Sequence, residues 1–142
     1  MKTDMDYLVP DDTRSATVAN NISIIDKGTF QERIHPWMLA CFGQEITVDP
    51  VERNHRFLEE ALELVQACDC TAEEAHKLVD YVFSRSVGEK KQEVGGVMVT
   101  LGALCTAHGI DMVQVAEHEL SRVWTCVEKI RMKQQAKPKF KE

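Results

Sequence analysis

The chain has 142 residues, 44% of them hydrophobic, and a net charge of −6. That length suits one domain with a real core. The acidity excludes a protein that coats nucleic acid, because phosphate backbones need a basic surface. An anionic ligand held through Mg²⁺ is compatible with it. No run of about 18 apolar residues occurs, so no membrane span is expected, and the N-terminus lacks the apolar stretch of a signal peptide.

Residues 1–28 show no clear period and are expected to form a loosely ordered arm, with Val18, Ile22, Ile24 and Ile25 available to dock on the body. A domain over 29–136 and a basic tail over 137–142 follow. In residues 30–42, Phe30, Ile34, Trp37, Met38, Cys41 and Phe42 fall at helical spacing. Pro36 either starts that helix or kinks it, and Gly43 ends it.

The next helix opens at Asp49 with Pro50 in its first turn, and Glu52 stands where a capping box would place it. It runs to about Cys68. Phe57, Leu58, Ala61, Leu62, Leu64, Val65 and Cys68 form its apolar arc, with Glu59, Glu60 and Glu63 opposite. Thr71 with Glu74 forms a second capping box and opens a helix through Leu78, Val79, Val82 and Phe83. Ser84 to Gly88 reads as a loop.

A fourth helix runs from about Glu89 to His108 and stops at Gly109. Its centre, VGGVMVTLGALCTA, is apolar nearly all round, which predicts a buried central helix. Gly96, Thr100, Ala103 and Ala107 make a stripe of small residues along it, giving room for a helix or a ligand. Asp111 then caps a last long helix whose core face carries Met112, Val115, Leu120, Val123, Trp124, Val127 and Ile130. About five helices result, and the fold class is all-α.

The five cysteines, Cys41, Cys68, Cys70, Cys105 and Cys126, contain no C-x-x-C pair. Most sit in apolar helical positions, as reduced core residues do in the cytoplasm. Cys68 and Cys70 at a helix end are a weak metal candidate. The five histidines form no zinc pair, and no P-loop or Ser-His-Asp pattern occurs.

The acidic residues carry the chemistry. Glu59, Glu60 and Glu63 spell E-E-x-x-E, which puts carboxylates one turn apart on a helix. Such a patch is either a solvated face or a cation site. Glu93 stands in the first turn of the most apolar helix, either complementing the helix dipole or facing a ligand.

LEEALELVQA and, further on, QEVGGVMVTLGALCTAHGID together resemble the two signature helices of the all-α nucleoside triphosphate pyrophosphohydrolases, the MazG-like superfamily. The resemblance covers roughly residues 30–132. It implies a helical bundle completed by oligomerisation, as a homodimer or dimer of dimers. It also implies hydrolysis of a nucleoside triphosphate or related nucleotide to the monophosphate and pyrophosphate. The cofactor would be Mg²⁺, with Mn²⁺ as the alternative. Glu60 and Glu63 match the family's E-x-x-E, Glu59 is an extra acidic residue, and Glu93 matches the first residue of E-x-x-D; these should converge on one metal. Gly96 stands where that motif has aspartate, and Glu89, one turn before Glu93, is the nearest substitute. Lys90, Lys91, Arg53 and Arg56 are candidates to hold phosphates, and Trp37 to stack on a base. The alternatives are a non-catalytic nucleotide-binding member of the fold and a helical interaction protein. No nucleic-acid polymer or membrane partner is expected.

Overall fold

A computed structural model describes residues 27–138. The N-terminal arm, apart from its last two residues, lies outside them, as do residues 139–142 of the tail. The described residues form six helices and no strand: α1 (Phe30–Thr47), α2 (Pro50–Ala67), α3 (Ala72–Phe83), α4 (Lys90–Ala107), α5 (Met112–Trp124) and α6 (Val127–Ala136). The described residues are all-α, as the periodicity predicts.

Side-chain caps fix the starts of five of the helices. Thr29 and Glu32 form a reciprocal box at α1, and Thr71 and Glu74 another at α3. Asp49 accepts from the backbone N–H groups of Val51 and Glu52. No reciprocal bond from Glu52 closes that box, because the Glu52 carboxylate turns to Arg56 at 3.2 Å instead. Asp111 caps α5, accepting from Gln114 N at 2.9 Å.

Pro36 lies inside α1, and the helix passes through it; the break comes at Gly43, which takes φ 72°. That left-handed value favours glycine, lacking a Cβ.

Two turns close in the same way. After α2, Cys70 N donates to Val65 O and Asp69 N to Gln66 O, with Asp69 at φ 67°. After α4, Ile110 N donates to Cys105 O and Gly109 N to Thr106 O, with Gly109 at φ +65°. Both are Schellman motifs, in which a left-handed residue lets the last carbonyls find donors. In each, the residue after the turn caps the next helix.

The expected single long C-terminal helix is two. Thr125 turns its hydroxyl to Arg122 O at 2.7 Å, and Cys126 N bonds Val123 O. The hydroxyl competes for a helix carbonyl, and the axis breaks between α5 and α6.

Packing is concentrated at one end, where α1 meets α2, α5 and α6, and α5 meets α6. Arg33 on α1 forks onto the Glu117 carboxylate of α5, one arm at 2.8 Å. Arg131 on α6 donates to Ala40 O on α1 at 3.0 Å. Leu120 and Cys41 are buried there. Trp37 packs edge-on to Phe42, ring centres 5.7 Å apart, and the Arg53 guanidinium lies 4.9 Å over the other side of the junction, at the Phe42 ring.

The expected burial of α4 fails within this chain. Val94 is 64% exposed, Met98 53% and Val99 73%, and only Cys105 near its C-terminal end is buried. Gly95, Gly96 and Gly102 face open space where a Cβ would project. Hence, among the described residues, no helix lies close against these glycines. The cause is topological: among the described residues α4 has no extended packing along α1, α2 or α6, so most of its length is left uncovered. No single helix among the described residues is long and apolar enough to cross a membrane; α4 and α5 pass that test only as a pair bent by 102°.

Candidate metal and nucleotide site

Helix α2 carries the acidic motif. Its positions 52, 56, 59 and 63 recur at one-turn spacing, so they share a stripe. Glu52, Arg56, Glu59 and Lys137 form a chain of alternating charge along it. Arg56 bonds the Glu59 carboxylate and lies 3.2 Å from Glu52, and Lys137 Nζ sits 2.8 Å from Glu59. Gln134 also donates to Glu52, and Arg56 reaches Pro138 O at 3.4 Å. Hydrogen bonding from Lys137, and then the Lys137 and Arg56 charges, hold the Glu59 carboxyl below its ordinary value.

Glu60 and Glu63 differ from Glu59. Both are exposed on α2, and among the described residues neither forms an ion pair or hydrogen bond. Glu63 and Glu59 line a cleft of about 500 Å³ between α2 and α3, walled by Leu58, Leu62 and Ala75 and rimmed by His55 and His76. The sequence reading did not single out this cleft. Its signal was available: an apolar pair, Leu58 and Leu62, flanking the acidic stripe.

The second motif is elsewhere. Glu89 is the N-cap of α4, accepting from Gln92 N at 3.0 Å. The Glu93 carboxylate curls back over Gly88, so close that a Cβ there would lie 2.0 Å from its Oε1. The single chain therefore does not bring Glu93 to Glu60 and Glu63. Among the described residues no group of three or more His, Cys, Asp or Glu side chains is gathered closely enough to hold a metal ion. Gly96 lies on the open face of α4 with its carbonyl accepting from Thr100 Oγ1 at 2.9 Å.

The candidate phosphate-binding cations divide. Arg53 is drawn into the α1–α2 junction against Phe42, and burial lowers its affinity for its proton. Arg56 is committed to Glu52 and Glu59. Lys90 and Lys91 stand exposed in the first turn of α4 with no ion pair among the described residues. Trp37 is half-buried against Phe42, a packing role. Cys68 and Cys70 remain free thiols at the α2–α3 turn.

No family model, curated protein or solved structure matches this chain.

Proposed function

We propose that the protein is a Mg²⁺-dependent nucleotide pyrophosphohydrolase, cleaving a nucleoside triphosphate or related nucleotide to the monophosphate and pyrophosphate. The observation that carries this reading is the state of Glu60 and Glu63. They stand one turn apart, exposed and without a neutralising cation, while the adjacent Glu59 has two. Uncompensated carboxylates at this spacing repel each other unless a cation joins them. Their oxygen donors suit Mg²⁺, which takes few protein ligands and keeps several waters. When bound there, Mg²⁺ supplies screening of phosphate oxygens and a lowered pKa for attacking water. The cleft beside Glu63 offers apolar walls for a base, with Arg56 at its edge. Lys90 and Lys91, the candidate cations without an ion pair among the described residues, stand on α4 and do not line this cleft. The resemblance of the two helical segments to the MazG-like superfamily supports the same reading.

Two observations favour a second reading, a non-catalytic nucleotide-binding or interaction protein of this fold. Gly96 replaces the motif aspartate, and the chain alone does not gather the carboxylates. Pyrophosphate release over a panel of nucleotides, with Mg²⁺ or Mn²⁺, separates the two. Catalysis predicts turnover that falls at least about 100-fold in Glu63→Gln, with unchanged helical content because Glu63 holds nothing in the chain. Inactivity across the panel with retained nucleotide binding selects the second.

A further inference from the structure

We propose that Phe140 docks in the cleft between α2 and α3, so that the segment following α6 fills a groove of its own chain. The proposal holds whether or not the protein hydrolyses nucleotides.

The cleft has room and apolar walls. Helices α2 and α3 follow one another in the chain but scarcely pack on each other, and a space of about 500 Å³ separates them. Leu58, Leu62, Val65 and Ala75 line it, and Leu58 and Leu62 are left 52% and 43% exposed. An apolar side chain placed between them removes that surface from water, which is favourable in proportion to the area covered.

The described residues end at this cleft. Lys137 leaves α6 with φ −73° and ψ 148°, the extended geometry that a residue before proline takes, and Pro138 lines the cleft. Polar contacts hold this exit to α2. Gln134 donates to the Glu52 carboxylate, Lys137 Nζ lies 2.8 Å from Glu59, and Arg56 donates to Pro138 O at 3.4 Å. They set Pro138 beside the turn of α2 that carries Arg56 and Glu59. Leu58 stands on that turn and Leu62 about one turn further, a rise of about 5.4 Å. Phe140 follows Pro138 by two residues, which an extended chain spans in about 7 Å. Its ring therefore reaches the leucine wall.

The charges fit as well. Lys139 and Lys141 flank Phe140. Side chains alternate along an extended segment, so a Phe140 ring turned into the cleft leaves both lysines at its mouth. Glu63 lines the same cleft and has no ion pair among the described residues. Where the nucleotide reading also holds, Phe140 takes the apolar place assigned to the base, and the segment after α6 competes with substrate.

Nuclear magnetic resonance on the full chain with labelled leucine methyl groups tests this. Nuclear Overhauser contacts should join the Phe140 ring to the Leu58 and Leu62 methyl groups. In samples mixing labelled and unlabelled chains, those contacts should arise within one chain. Phe140→Ser should abolish them and move the same methyl resonances downfield as the ring current is lost. The contacts in the unaltered protein decide even if that variant folds poorly. A Phe140 ring with no contact to either leucine overturns the proposal, as do contacts that arise only between chains.

Discussion

Lys137 Nζ lies 2.8 Å from the Glu59 carboxylate and so ties the end of the described chain to the middle of α2. The pair joins residues 78 positions apart, and with Arg56 to Pro138 O it holds the end of the described residues against the acidic stripe. Lys137→Ala should cost about 0.5–1 kcal/mol or less at neutral pH, because both partners are partly exposed. The sign with pH follows from the lowered Glu59 carboxyl. Its contribution is complete above its ordinary value of 4.5 and is lost as pH falls through the lower folded value. The stability difference between the two proteins, from urea titrations, should therefore be constant near neutrality and shrink below about pH 4.5. A difference that grows on acidification would rule the tie out.

Asp69→Gly should stabilise the protein. Asp69 holds φ 67° in the Schellman turn after α2, where glycine pays no Cβ penalty and other residues pay about 1 kcal/mol. Aspartate tolerates this conformation better than most, so the gain should be about 0.5 kcal/mol. Asp69→Val should lose more than that. Chemical denaturation of the three proteins gives the order Gly, Asp, Val if the turn forms as described.

Thr47→Val tests a buried hydroxyl. Thr47 is 5% exposed, and its Oγ1 has no hydrogen-bond partner among the described residues. An unpaired buried donor carries a desolvation penalty, so the near-isosteric valine should raise stability by about 1 kcal/mol. A loss in the melt would mean that the hydroxyl is satisfied in solution.

Gly96→Asp distinguishes a missing metal ligand from a packing glycine. Within one chain the new side chain meets nothing, and replacing a mid-helix glycine favours the helix by a few tenths of a kcal/mol. If a helix packs on this open face, an aspartate places a charge in an apolar contact and costs several kcal/mol. We expect a lower melting temperature with or without Mg²⁺. Stabilisation that increases with added Mg²⁺ would instead mark position 96 as a vacated ligand position.

Helix starts were legible because their signals are local. Asp49 with Pro50, Thr71 with Glu74, and Asp111 each cap within three residues, and the structure uses all three. Gly109 likewise stops α4 where the sequence places the stop. The break at Thr125 was not legible, since Val123, Trp124, Val127 and Ile130 keep a helical period across it and no Gly or Pro marks it. Tertiary partners were invisible for a similar reason. Nothing local to Glu59 announces Lys137, and nothing local to Arg33 announces Glu117. The apolar character of α4 was read correctly, but composition states that a helix needs covering without stating which chain covers it. The acidic motif was legible on α2 as a pattern; that Glu59 is the paired one of its three carboxylates depends on Arg56 and Lys137 and required the structure.

Both tryptophans of the chain, Trp37 and Trp124, sit on α1 and α5, and both indole N–H groups are shielded from solvent. The chain thus carries its optical reporters at one end only. Indole emission will register unfolding of the α1–α5–α6 end and stay silent when α3 and α4 unfold by themselves, while the far-ultraviolet helix signal senses every segment. The two probes should therefore disagree on heating, with helix signal fading before the emission shifts. Two coincident curves would describe a molecule that comes apart all at once.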